Sequence, residues 1–331
     1  MHLRFAALSA AVAFAFAAPT CAYADEKVTI MVGGIDKQIY LPAKLTETLG
    51  YFKQEGVDVE LLTEPAGVEA EDEILSGAIQ GVVGFYDHTI DLQAKGKFLE
   101  SVVQMSQAPG EVELMSTKWT GKSARDWRGK TLGVTGLGSS TNFITEYVAV
   151  KNGLKVSDIT TLPVGAGNTF IVALQQGKID GGMTTEPTVS RLLKTGAAKI
   201  MFDLRTADQT KKILGGLYPA ASLYMQTSWV NAHPAETQKI ANAFVKTLHW
   251  IATHSASQIA DKLPSDYYAG DRASYVKALA MSKAMFTPDG VMPESGPKTV
   301  LTVLSSFNPN IKANSINLAQ TFTTKFVKAA R

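Results

Sequence analysis

Residues 127–141 read Trp127-Arg128-Gly129-Lys130-Thr131-Leu132-Gly133-Val134-Thr135-Gly136-Leu137-Gly138-Ser139-Ser140-Thr141. The run at 131–134 predicts a strand, the glycines that follow a tight loop, and the stretch from Ser140 to about Lys151 a helix. Strand, loop and helix in that order form the repeating unit of a sheet covered by helices. The pattern extends in both directions. Upstream, strands are predicted at 28–32, 57–61, 81–85 and 99–105, separated by helical stretches at 40–52, 69–76 and 89–95. Within 40–52, Leu41, Leu45, Leu49 and Phe52 recur on one helical face. Downstream, strands at 158–162, 179–183 and 199–202 alternate with helices at 169–176 and 188–194. Residues 28–105 and 127–203 therefore form two successive α/β units of similar plan, each expected to hold a parallel sheet. The last third is different. A long helix at 236–254 carries Ile240, Phe244, Leu248 and Ile251 on one face, and further helices are predicted at 274–285 and 315–328. A helix-rich tail cannot form a sheet domain by itself, so it is expected to pack back on one of the α/β units.

Composition bounds the function. The 331 residues include 32 Lys+Arg against 30 Asp+Glu, a net charge of +2, with 45% hydrophobic residues. That is a globular balance, and there is no basic excess of the kind that neutralises nucleic-acid phosphates. Residues 1–24 read as a secretory signal: Arg4 supplies a positive start, Leu8 to Ala18 is apolar, and Ala22-Tyr23-Ala24 fits a small-x-small cleavage site. The chain is therefore expected to be exported. Cys21, the single cysteine, would leave with this segment. The mature chain would then have no disulfide, no thiol nucleophile and no cysteine-based metal site.

The loop Gly136 to Thr141 offers free helix-start amides and the hydroxyls of Ser139, Ser140 and Thr141, which suits a small anion; ordinary N-capping would also account for it. A dinucleotide fingerprint is a poor fit, because Thr141 stands where the third glycine belongs. Tyr86-Asp87-His88 follows the strand 81–85 at the sheet edge where α/β proteins bind ligands. Asp87 can cap the next helix and His88 can donate to a ligand, but no second histidine lies at metal-ligand spacing. Gly33-Gly34-Ile35-Asp36-Lys37-Gln38 ends the first strand; Asp36 and Gln38 are read as facing a cleft and Lys37 as solvated. Thr185 and Glu186 end another strand, where Glu186 either accepts from a ligand or caps a helix at Pro187. Asn168 opens a helix, and Tyr218 can floor a pocket with one apolar face and one hydroxyl. No G-x-S-x-G, H-E-x-x-H or P-loop is present.

Four stretches together resemble a known family. They are Ile39-Tyr40-Leu41-Pro42-Ala43 with Leu49-Gly50-Tyr51-Phe52-Lys53-Gln54-Glu55-Gly56-Val57; Asp126-Trp127-Arg128-Gly129-Lys130-Thr131-Leu132-Gly133-Val134 before Gly138-Ser139; Leu174-Gln175-Gln176-Gly177-Lys178-Ile179-Asp180-Gly181-Gly182; and Glu186-Pro187. In order and spacing they resemble the periplasmic solute-binding proteins of ABC importers, in the nitrate, sulfonate, taurine and thiamine-precursor group. The resemblance implies a type II bilobal fold with two crossover segments, residues 25–115 with 222–331 in one lobe and 116–221 in the other. It implies a monomer that closes its lobes by a hinge on a small anionic organic solute, such as a sulfonate or carboxylate. The solute would then pass to an inner-membrane permease with a cytoplasmic ATPase, with no cofactor, no metal and no catalysis. The implied ligand contacts are Gly34, Ile35, Asp36, Gln38, Tyr86, Asp87, His88, Gly138, Ser139, Ser140, Thr141, Asn168, Thr185, Glu186 and Tyr218. Two other readings stay open: an exported enzyme using His88 and Asp87 as acid and base, and a subunit that presents its ligand to a receptor. Relatives that synthesise the thiamine pyrimidine carry a cysteine-rich motif, which the mature chain would lack.

Overall fold

The computed structural model describes residues 27–330, so the expected signal at 1–24 lies outside the described residues. Ten strands form two five-stranded sheets. The first sheet holds β1 (Val28–Val32), β2 (Val59–Thr63), β3 (Gly81–Phe85), β4 (Leu99–Gln104) and β10 (Ala221–Gln226), in the order β2-β1-β3-β10-β4. The second holds β5 (Glu111–Ser116), β6 (Thr131–Val134), β7 (Thr160–Pro163), β8 (Gly181–Thr185) and β9 (Ala198–Asp203), in the order β7-β6-β8-β5-β9. Each sheet is the core of one lobe.

Neither sheet is wholly parallel, which corrects the sequence reading. β10 runs antiparallel to β3 and β4, and β5 runs antiparallel to β8 and β9. These are the two strands that carry the chain from one lobe to the other, and both escaped the periodicity argument. β5 reads Glu111-Val112-Glu113-Leu114-Met115-Ser116, in which alternating carboxylates suggest a solvent face. Both glutamates are in fact buried. Their oxygens accept from Ser140 and Thr145 on the helix Ser140–Lys151, which covers this face. It follows that the outward crossing lies before Glu111, not after 115 as expected, and that the return is complete at Ala221.

Six helices matter for the site. They are α1 (Leu41–Thr48), α2 (Asp87–Ala94), α3 (Ser140–Lys151), α4 (Thr188–Lys194), α5 (Pro234–Thr253) and α6 (Gly296–Phe307). The stretch 40–52 is not one helix: Gly50 adopts φ 72°, a left-handed turn that breaks it after α1 and restarts it at Tyr51. α5 buries Ile240, Phe244, Leu248 and Ile251 against α1 and the first sheet, so the tail does return to the first lobe. α6 was not anticipated. It packs on α2 of the first lobe and on α3 of the second, bringing Phe307 to 6.0 Å from Phe143 between ring centres. The expected helix at 315–328 shrinks to Lys325–Ala329, preceded by short turns in which Asn317 accepts from the amide of Ala319. Among the described residues no helix is long and apolar enough to cross a membrane.

Candidate functional site

The C-terminal ends of β1 and β3 in the first lobe face the corresponding ends of β6 and β8 in the second, and a cleft runs between them. Its outer part is an open groove of about 580 Å³. Gly34, Asp36, Lys37 and residues 63–65 line it from one side, and Thr135 with residues 163–166 from the other. Behind Lys37 the cleft narrows to a nearly closed cavity of about 10 Å³, room for about one water. Lys37, Ile39, Tyr40, Gly67, Phe85 and His88 wall it from the first lobe; Glu111, Thr135, Ser139, Ser140, Thr141 and Thr185 wall it from the second.

The loop before α3 is built much as its residues require. Gly138 takes φ 79°, where a side chain would be strained. Ser139 caps the helix, accepting from the amide of Asn142. Its hydroxyl also donates to the Gly136 carbonyl at 2.6 Å, and the Thr135 and Thr141 hydroxyls lie 2.9 Å apart. The hydroxyl of Ser140 donates to Glu111 Oε1 at 2.8 Å. Three of the hydroxyls read as anion donors thus bond within the protein. The backbone amides of Ser140 and Thr141 have no acceptor among the described residues, as expected of a first helical turn.

Several expected contacts bond within the protein instead of lining the cavity, and one of them joins the lobes. The Gln38 amide donates to the Glu186 carbonyl across the lobes at 3.0 Å, while its side chain donates to the Tyr275 carbonyl and accepts from Ser282. Glu186 accepts from Arg205 at 2.8 Å and from the Ser190 amide at 3.0 Å. The Tyr218 hydroxyl donates to Asp87 Oδ2 at 2.8 Å, and Tyr86 bonds Thr321 beneath the cavity. Asn168 is exposed and accepts from Arg191, and the Ile35 amide donates to Thr63. Of the expected residues, His88, Ser139, Ser140, Thr141 and Thr185 meet in the inner cavity, and Gly34 and Asp36 in the outer groove.

Sequence reasoning missed Lys37, Tyr40, Phe85 and Glu111. Lys37 is not solvated: its Nζ donates to the Gly33 and Pro65 carbonyls at 2.7 and 2.6 Å, and burial pulls its pKa down to about 8. Its place between a strand-end glycine pair and a helix start was the available signal. Glu111 had none, because its strand was not recognised. Burial pushes its carboxyl well above the usual range, with Asp87 adding to the effect. Asp87 is also raised by burial. His88 Nδ1 lies 3.1 Å from Glu71 Oε1. Burial alone would lower this imidazole, but Glu71 and Asp87 outweigh it and hold its pKa above the ordinary value. Among the described residues no cluster of His, Cys, Asp and Glu is arranged to hold a metal ion.

Comparison with known proteins agrees with this architecture. The NMT1/THI5 like family matches residues 40–257. The putative binding protein YtlA of Bacillus subtilis is 22% identical over 87% of this chain and 86% of its own length. A 4-amino-5-hydroxymethyl-2-methylpyrimidine phosphate synthase of Schizosaccharomyces pombe is 29% identical, but over only 48% of this chain and 45% of the enzyme. A solved protein from Bordetella bronchiseptica RB50 superposes with a TM-score of 0.88 at 37% identity, covering 92% of this chain and 96% of that one. The alkanesulfonate-binding protein SsuA from Xanthomonas axonopodis pv. citri, bound to MOPS, shares the fold with a TM-score of 0.71 at 16% identity, over 90% of this chain and 98% of that one. With its two sheets, two crossings and interlobe cleft, the chain belongs to the NMT1/THI5-like family and has the bilobal fold of periplasmic binding proteins.

Proposed function

We propose that this protein is the solute-binding component of an ABC importer: it closes two lobes on a small organic solute in the periplasm and presents it to an inner-membrane permease with its ATPase. The observation that carries the reading is the interlobe cleft, in which a groove of about 580 Å³ leads to the inner cavity. Buried polar side chains from both lobes converge at its inner end, and Glu111 Oε2 and Thr185 Oγ1 find no partner among the described residues. A buried polar atom left unpaired costs about 1–3 kcal/mol, a loss that a bound solute relieves. The backbone amides of Ser140 and Thr141 and the Lys37 ammonium supply donors for the same solute.

Binding without covalent change is the simplest use of this arrangement. Asp87 Oδ2 accepts from Tyr218, and His88 Nδ1 lies against Glu71, so neither of these atoms is directed at the other residue. The partial likeness to a synthase covers less than half of that enzyme, and Cys21 is the only cysteine of the chain. Closure is a hinge motion about the two crossings, with the solute favouring the closed state by its greater affinity for it.

A thermal-shift screen of small amines, carboxylates, sulfonates, nitrate and nitrogen heterocycles tests the proposal. A true solute at free concentration L stabilises the folded protein by RT ln(1 + L/Kd), so the midpoint rises with the logarithm of its concentration once that exceeds Kd. No stabilisation by any class, or chemical conversion of a stabilising compound on long incubation, would overturn it.

A further inference from the structure

Resting on the solute-binding reading, we infer that Glu111 is a specificity-determining residue that receives an N–H donor of the solute, so that the cleft selects a nitrogen base over an oxyanion. Glu111 is 1% exposed. One of its oxygens accepts from Ser140, and the other, Oε2, is buried without a partner among the described residues while the side chain walls the inner cavity. An oxyanion placed on the first turn of α3 would meet this carboxyl group, and Asp87 Oδ1, also buried and unpartnered, lies in the same region. The Ser140 hydroxyl, which an oxyanion would need as a donor, is already turned toward Glu111. The protein's own carboxyl therefore stands beside the place where the loop alone would have put an anion.

An amidine or guanidine group answers this geometry. Its N–H edge matches a carboxylate in plane with two parallel hydrogen bonds. Its positive charge also draws the buried carboxyl into the ionised form, since an adjacent opposite charge favours it. Lys37 does not cancel the preference. Two of its ammonium hydrogens are directed at the Gly33 and Pro65 carbonyls, and the third is left for an acceptor atom on the far side of the same solute.

Matched probes of nearly equal shape and opposite charge test the inference on the full mature chain: acetamidine against acetate, and benzamidine against benzoate, with methanesulfonate and nitrate beside them. Thermal shift followed by calorimetric titration should show binding of the amidines at least about tenfold tighter than of their carboxylate twins. Glu111→Gln should lose at least about tenfold for the amidines. Glu111→Asp, which keeps the carboxyl but draws it back by one methylene, serves should the first variant fold poorly; it should also weaken amidine binding at least about threefold. Oxyanions that bind as well as or better than amidines, or amidine binding indifferent to Glu111→Gln, would sink the inference and leave the importer reading standing. Stabilisation by neither set would sink both.

Discussion

At the scale of single residues, this protein buries charge where its sequence suggests solvent. Glu113 is fully buried on β5, accepting from Thr145 at 2.9 Å, and burial lifts its pKa to about 8. In the unfolded chain the same carboxyl titrates near ~4.3. Between those values the native state holds a proton that the unfolded state has lost. The contribution of Glu113 to stability is therefore complete below the unfolded value and is lost as pH rises through the folded one, at up to about 1.4 kcal/mol per pH unit. Burial raises Glu111 and Asp87 in the same direction. Urea unfolding of wild type and Glu113→Gln from about pH 5 to about pH 8 should show a shallower decline in the variant; parallel curves would refute the assignment. Arg205 is the opposite case, a buried cation fully paired with Glu186 and Asp203. Arg205→Ala leaves Glu186 buried without its cation and should cost about 3–5 kcal/mol, read as a lower denaturant midpoint.

At the scale of elements, the second sheet depends on two facing glycines. A Cβ on Gly182 of β8 would lie 2.2 Å from the carbonyl oxygen and 2.5 Å from the nitrogen of Gly133 on β6. Those two strands lead to Thr135 and Thr185 in the cavity wall, so a shift of one against the other moves that wall. Gly182→Ala should destabilise by about 1–3 kcal/mol or more and should weaken solute binding as well. Denaturant titration together with the thermal-shift response checks both effects, and an unchanged midpoint would show that the strands can separate without strain. The crossing strands β5 and β10 are the elements that periodicity did not find. Their partners are remote in sequence, and the apparent solvent face of β5 lies beneath α3.

At the scale of the whole molecule, α6 joins the lobes along one side of the cleft, while polar contacts tie them elsewhere. Besides the Gln38–Glu186 backbone bond, Lys194 at the end of α4 pairs with Asp271 of the first lobe at 2.6 Å. Lys194 is largely exposed, so the pair is worth at most about 1 kcal/mol and is screened by salt. Lys194→Ala should shift solute-free protein toward a more open form, seen as a larger radius of gyration in small-angle scattering at low salt and no difference at high salt. An equal radius at low salt would mean that the pair does not hold the lobes. The sequence alone was enough to establish two α/β units, the strand–loop–helix at 131–151 and the return of the tail, because apolar periodicity and glycine placement are local properties of a chain. Tertiary structure decided which residues face the solute. Glu111 reaches the cavity only because the chain enters the second sheet at this residue and α3 folds over it, and Lys37 is buried only because the loop at 65–67 closes above it. Burial of a charged side chain depends on what distant segments cover, and no window of sequence contains that.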